Sequence, residues 1–149
     1  VFLRIHIVDS LKLLLEIDKQ ARKNNLVINC LLQVHIAQEE TKFGFSDAEL
    51  SEIMEDVHKA KLSDQLKNIE VAGLMGMASL TDNMEQVRKE FKLLKLLFNQ
   101  CAELQVQNTI KILSMGMSND YQVAIEEGAN MVRIGSLIFG SRPEPLSQI

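Results

Sequence analysis

The stretch Ser114-Met-Gly-Met-Ser-Asn-Asp-Tyr-Gln-Val-Ala-Ile-Glu-Glu-Gly-Ala-Asn-Met-Val-Arg-Ile-Gly-Ser-Leu-Ile-Phe-Gly140 decides the fold. A strand closes at Ser114, and Ser118 then stands before a helical segment, Asn119–Glu127, that Gly128 stops. Met131-Val-Arg-Ile134 is apolar again, and Gly135-Ser136 opens a turn through Leu137-Ile138-Phe139. The order is strand, serine-capped helix, buried strand, glycine turn. Strands joined through a single helix run parallel, so the segments that follow them share one edge of a sheet. One hydroxyl, two sets of backbone N–H groups and one cation, Arg133, are brought together there, a combination suited to a phosphorylated ring compound.

The remainder of the chain repeats this alternation. Apolar, β-branched runs mark strands at about Phe2–Val8, Leu26–Ile36, Ile69–Met77, Thr109–Ser114 and Met131–Gly135. Each is apolar nearly throughout, as parallel strands buried on both faces are. Asp9 or Ser10 caps a first helix that gathers Leu11, Leu14, Leu15, Ile17 and Ala21 on one side. A capping box, Ser46-Asp-Ala-Glu49, opens the second, with Leu50, Ile53, Met54 and Val57 forming its stripe. The third, Asn83–Leu104, carries Met84, Val87, Phe91, Leu94, Phe98 and Cys101 at steps of three and four, the pattern of an outer helix packed on a sheet.

Alternation of this kind fits either an open doubly wound sheet or part of an eightfold α/β barrel. A complete barrel takes ~250 residues, about 31 per strand–helix unit, so five units need ~156. The 149 residues present match five-eighths of a barrel. The expected architecture is therefore a TIM (β/α)8 barrel of which this chain carries the C-terminal five units. Residues 1–149 form a single incomplete domain, with 141–149 as a tail holding Pro143 and Pro145. The chain opens at Val1 directly in a strand, and further sequence is expected upstream.

Composition narrows the function classes. Hydrophobic residues make up 46% and charged residues 24%, with 20 acidic against 16 basic side chains and a net charge of −4. No basic block is present, so nucleic acid is not an expected partner. No apolar stretch approaches the ~20 residues that span a bilayer, and a cytoplasmic location is expected. Cys30 and Cys101 lie on apolar faces without metal-ligand spacing and read as buried reduced thiols. His6, His35 and His58 are too scattered for a metal site, and no nucleophile–histidine pair can be argued from spacing, so no catalytic residue is assigned.

In barrels the chemistry sits after the strand C-termini, here Asp9-Ser10, Ala37–Phe45, Ala78–Asp82, Met115–Asn119 and Ser136–Gly140. An isolated Ser118 would read as a helix cap, but its pairing with Gly135-Ser136 favours an anion: Gly135 allows close backbone approach and Ser136 caps the short turn. Arg133, in an apolar strand, must meet either an acidic partner or a polar ligand. Lys42 lies on a loop of the same face, where it is a candidate amine nucleophile but reads first as a solvated lysine.

Leu113-Ser-Met-Gly-Met-Ser-Asn-Asp120, Ala124-Ile-Glu-Glu-Gly128 and Val132-Arg-Ile-Gly-Ser-Leu-Ile-Phe-Gly140 together resemble the signature of the pyridoxal-phosphate homeostasis protein family, also called the proline synthase co-transcribed family. The resemblance extends to Gly73-Leu-Met75, Glu40-Thr-Lys-Phe-Gly44 and Ile5–Ser10, and so covers almost the whole chain. It implies the fold-type III barrel of alanine racemase, with pyridoxal 5'-phosphate as cofactor. Ser118, Gly135 and Ser136 would hold the cofactor phosphate and Arg133 would face the pyridine nitrogen. Ser136 replaces the more usual threonine, and Ile7 stands where a small polar residue is common. The family's Schiff-base lysine lies on its first strand, in a context that no position here matches, and Lys42 is not that residue.

The implied role is non-catalytic storage or delivery of the cofactor. Apo forms of cofactor-dependent enzymes would be the recipients, and the protein would be a monomer or weak homodimer. The alternative is an amino-acid racemase or related enzyme of the same fold. Such racemases draw a second base, a tyrosine, from an additional domain, whereas Tyr121 is the only tyrosine here and falls in a helix. A third reading is a phosphate-binding barrel enzyme without pyridoxal chemistry.

Overall fold

The computed structural model describes residues 4–40, 43–104 and 109–140. Phe2, Lys42 and the 141–149 tail lie outside them. Strands β1 (Arg4–Val8), β2 (Ile28–His35), β3 (Ile69–Met77), β4 (Ile112–Met117) and β5 (Met131–Arg133) alternate with helices α1 (Leu11–Lys23), α2 (Asp47–Leu62), α3 (Met84–Leu104) and α4 (Tyr121–Glu126), and a short α5 (Ser136–Phe139) follows. All neighbouring strands pair in parallel, in the order β1-β2-β3-β4-β5. A doubly wound sheet reverses its strand order at a switch point. This sheet never does, and α1 to α4 each pack against the next in one layer. The result is a parallel five-stranded half-barrel.

Side-chain alternation explains the two faces. Cys30, Leu32 and Val34 of β2 point into the main core with Leu74 of β3, Leu113 and Met115 of β4, and the helical residues Leu14, Leu50, Val57, Phe91 and Leu94. Their neighbours Leu31, Ala72 and Met75 form a smaller apolar cluster, with Met77 and Ile112 packed against it. Strand β3 passes unusually close to β4: a Cβ on Gly73 would lie 1.9 Å from the Ile112 carbonyl oxygen. Asn130 pins the start of β4, its Oδ1 accepting the Leu113 N–H at 2.8 Å and its Nδ2 donating to the Lys111 carbonyl at 2.7 Å.

Capping largely follows local chemistry. Ser10, not Asp9, caps α1 by accepting the Leu13 N–H, and the Ser46/Glu49 box is complete at α2. Of the α3 stripe, Val87, Phe91, Leu94 and Cys101 are buried, whereas Met84 is 36% exposed at the helix start; Leu15 of α1 is likewise exposed. Gly128 ends the fourth helical segment at φ +95°, as its sequence position implies.

The structure corrects several boundaries and caps: the second strand runs Ile28–His35 and not Leu26–Ile36, and the fifth ends at Arg133 and not at Gly135. The fourth strand runs Ile112–Met117 and not Thr109–Ser114, because pairing with β3 begins at Ile112 and Gly73. The fourth helix begins at Tyr121 with Asp120 in the cap position, so Ser118 does not cap it. Ser136 is the first residue of α5 and Gly135 occupies its cap position, so Ser136 does not cap that turn.

Candidate functional site

Strands β4 and β5 are neighbours, and the segments leaving their C-terminal ends meet. Near the end of β4 the backbone passes Gly116, whose φ of +96° and tight packing suit glycine: a Cβ there would lie 2.6 Å from that of Ala124. Asp120 Oδ1 then accepts the Met117 N–H at 2.6 Å and closes the turn. Ser118 is thereby aimed at the next strand's exit. Its Oγ accepts the Gly135 N–H at 3.3 Å and the Leu137 N–H at 3.4 Å. The hydroxyl withheld from the helix is spent on this second loop.

Gly135 itself has no protein atom within 4 Å of where its Cβ would be. Its φ of −122° is accessible to any residue. Neither packing nor backbone geometry calls for a glycine here, and the open space beside its amide is what a bound group would fill. Ser136 begins the exposed α5 beside it.

Arg133 reaches back across the sheet from β5. Its Nη1 donates to Ser114 Oγ of β4 at 2.8 Å, and its Nη2 donates to the Gly76 carbonyl of β3 at 3.0 Å. Of the two expected alternatives, an acidic partner is not in contact: among the described residues both acceptors are neutral. Burial lowers the guanidinium's pKa from its ordinary value, while the charge of Asp120 acts in the opposite direction. A guanidinium has further N–H donors beyond these two, so Arg133 keeps both charge and donors for a ligand. On β1, His6 has a lowered pKa, first through burial, then through the charges of Arg4 and Arg133.

The structure thus brings together Ser118, Gly135, Ser136 and Arg133 at the C-terminal edge of β4 and β5. Ser114, Gly76, Asp120 and the Leu137 amide were not singled out from sequence. A polar Ser114 inside an apolar strand, two residues before Gly116, was the one available signal. Cys30 and Cys101 are buried free thiols, with pKa values pushed up to about 12 and about 11, principally by burial. Among the described residues no cluster could hold a metal ion, and no helix is long and apolar enough to cross a membrane.

The opposite loops of the same sheet edge are fixed by polar contacts. Glu90 Oε2 accepts the Ser79 N–H and its Oε1 accepts the Ser79 hydroxyl, both at 2.7 Å, while Ser79 Oγ accepts the Gln38 N–H at 2.9 Å. A groove of about 820 Å³ runs along α2 between Met54, Val57, Leu62 and Leu104. It is lined by none of the residues that meet around Ser118.

A family model described as alanine racemase, N-terminal domain, matches residues 4–143. A relative named pyridoxal phosphate homeostasis protein from Aquifex aeolicus is 43% identical over 140 residues, which are 93% of this chain and 58% of the relative. One of the same name from Helicobacter pylori is 39% identical over 135 residues, 91% of this chain and 56% of the relative. The chain therefore spans a little over half the length of these relatives. Among solved structures, PipY of Synechococcus elongatus with pyridoxal phosphate bound superimposes with a TM-score of 0.77 at 28% identity, covering 92% of this chain and 60% of that one. An alanine racemase from Clostridium difficile shares the fold, with a TM-score of 0.65 at 21% identity over 93% of this chain and 34% of that one.

Proposed function

The chain belongs to the alanine racemase N-terminal domain family, and on that premise we propose that it forms part of a barrel that binds pyridoxal 5'-phosphate for storage or delivery. The reading is non-catalytic cofactor homeostasis. The observation that carries it is the meeting of Ser118 with the Gly135 and Leu137 amides, one strand end away from a guanidinium held only by neutral acceptors. In this reading the Ser118 hydroxyl and the amides at Gly135 and Ser136 hold the phosphate, with the open space at Gly135 admitting it, and Arg133 faces the pyridine nitrogen. The names of the curated relatives and the cofactor in the PipY structure point the same way.

Pyridoxal phosphate, when bound, supplies an electron sink for amino-acid chemistry. A permanent cation at the ring nitrogen opposes protonation there, and so weakens that sink. Arg133 therefore discourages transamination-type carbanion chemistry, while racemases of this fold also use an arginine and are not excluded by it. The sequential, reversal-free strand order leaves β1 and β5 at the two edges, and the proposal closes a fold-type III barrel between them with the part of the relatives' length that this chain does not span. The lysine that bonds the cofactor belongs to that part. Recipients are apo forms of cofactor-dependent enzymes, in the cytoplasm, and the protein acts as a monomer or weak homodimer.

The test uses full-length protein loaded with pyridoxal phosphate: a visible absorbance scan, borohydride reduction and peptide mapping. One labelled lysine outside these 149 residues is expected, and no labelled lysine anywhere would remove the reading. Racemisation and transamination assays across amino acids are expected to show no sustained turnover. Sustained turnover would put the racemase alternative in its place.

A further inference from the structure

Arg133 lies on β5, yet its guanidinium is fixed by residues of the two preceding strands. Ser114 of β4 stands opposite Met75 in the parallel register, and Gly76 is the next residue of β3. The Arg133 side chain crosses β4 to place Nη1 on the Ser114 hydroxyl and Nη2 on the Gly76 carbonyl, at 2.8 and 3.0 Å. Ser114 is completely buried in a strand whose other residues are mostly apolar. Its hydroxyl has no role in the sheet's backbone ladder. A residue chosen only to fill space at this position would be alanine or valine, neither of which buries a hydroxyl.

We propose that Ser114 is a positioning residue that acts through Arg133: its hydroxyl and the Gly76 carbonyl clamp the guanidinium across β4 and present its unneutralised charge to the ring nitrogen of bound pyridoxal phosphate. The clamp rests on the cofactor reading given above. Its chemistry depends on the neutrality of both acceptors. A carboxylate at position 114 would hold the arginine equally well but would cancel much of its field at the ring. Hydroxyl and carbonyl fix direction without cancelling charge, and a two-point attachment fixes the plane of the fork as well.

The test uses full-length protein and three substitutions: Ser114→Ala, and the near-isosteric pair Ser114→Thr and Ser114→Val, which differ in the hydroxyl. With pyridoxal phosphate bound, the Ala and Val variants should lose cofactor about tenfold faster than the parent protein, the scale of a hydrogen bond to a charged group, and their visible band should shift in the direction of Arg133→Gln. Ser114→Thr should retain the parent band and dissociation rate. A second readout needs no cofactor. The charge of Arg133 contributes to the lowered His6 pKa, so in cofactor-free protein the His6 titration followed by NMR should move upward in the Ala and Val variants and stay in place with Thr.

Identical behaviour of the Thr and Val variants in both readouts would overturn the clamp. Loss of cooperative folding in Ser114→Ala would do the same, by making Ser114 a support of the sheet. Failure of the parent protein to take up pyridoxal phosphate would instead remove the cofactor reading and this proposal's functional half, while the His6 titration would still decide whether Ser114 holds Arg133.

Discussion

Ser118 accepts the Gly135 N–H at 3.3 Å across 17 positions of sequence, and this contact ties the loop after β4 to the loop after β5. The same oxygen accepts the Leu137 N–H, so one hydroxyl organises both donors at the start of α5. Removing it in Ser118→Ala should cost about 1 kcal/mol of stability, the net worth of partly exposed hydrogen bonds. Cofactor retention in the full-length protein should fall about tenfold, because a hydroxyl facing a dianion is lost along with the alignment of two amides. Urea denaturation and equilibrium dialysis would check the two effects separately.

Two glycines should respond in opposite ways to the same added methyl group. In Gly73→Ala the Cβ would sit 1.9 Å from the Ile112 carbonyl oxygen, a backbone atom where the β3–β4 pairing begins. Relief requires the strands to part, and a loss of about 3 kcal/mol or more is expected. Gly135→Ala meets nothing within 4 Å, so stability should change by less than about 0.5 kcal/mol. Its effect should appear only in weakened cofactor binding. A Gly135→Ala variant that binds pyridoxal phosphate as the parent does would remove Gly135 from the phosphate site.

Reversing the charge at position 133 separates the ring contact from the phosphate contact. Arg133→Glu places a carboxylate beside the Gly76 carbonyl and within the influence of Asp120, which should lower stability by about 1–3 kcal/mol. Covalent attachment should persist, since the bonding lysine is elsewhere, but the visible band of the bound cofactor should shift and the cofactor should wash out faster. An unchanged spectrum would show that Arg133 does not face the ring.

These contrasts also mark what the sequence could disclose. Strand β3 was legible to the residue, because Ile69–Met77 is apolar apart from Glu70 and follows a polar loop. Strand β4 was displaced by three residues: Thr109 and Ile110 have strand chemistry, but close approach at Gly73 sets where pairing starts. The clustering of Ser118, Arg133, Gly135 and Ser136 followed from parallel topology alone. The individual bonds did not. Ser118 stands before a helix and looks like a cap, yet Asp120 takes the turn and frees the hydroxyl for another loop. Arg133 called for a partner, and local sequence could not show that Ser114 and Gly76, 19 and 57 positions away, would supply it.

The two cysteines should report opening of different parts of the fold. Burial pushes the Cys30 thiol up to about 12 and Cys101 up to about 11, so neither carries appreciable thiolate near neutrality. Cys30 is fully buried in β2, between two strands, whereas Cys101 lies three residues from the end of α3. Helix ends open more readily than central strands. A thiol reagent should therefore modify Cys101 well before Cys30, and mass spectrometry of timed samples should show the gap closing as urea is added.

His6 gives stability a specific pH dependence. Its folded-state pKa lies below the ordinary 6.5, because burial and the charges of Arg4 and Arg133 all disfavour the imidazolium. Above pH 6.5 the ring is mainly neutral in both folded and unfolded chains, and it contributes nothing to the difference between them. As the pH falls below 6.5, the unfolded chain takes up the proton first. It then binds more protons than the folded state, so stability declines through the interval down to the folded pKa and levels off beneath it. In His6→Gln this part of the slope should vanish. The difference in urea midpoint between the cofactor-free parent and His6→Gln, followed from about pH 8 to about pH 5, isolates the term. A difference that stays constant across that range would show that folding does not lower the His6 pKa.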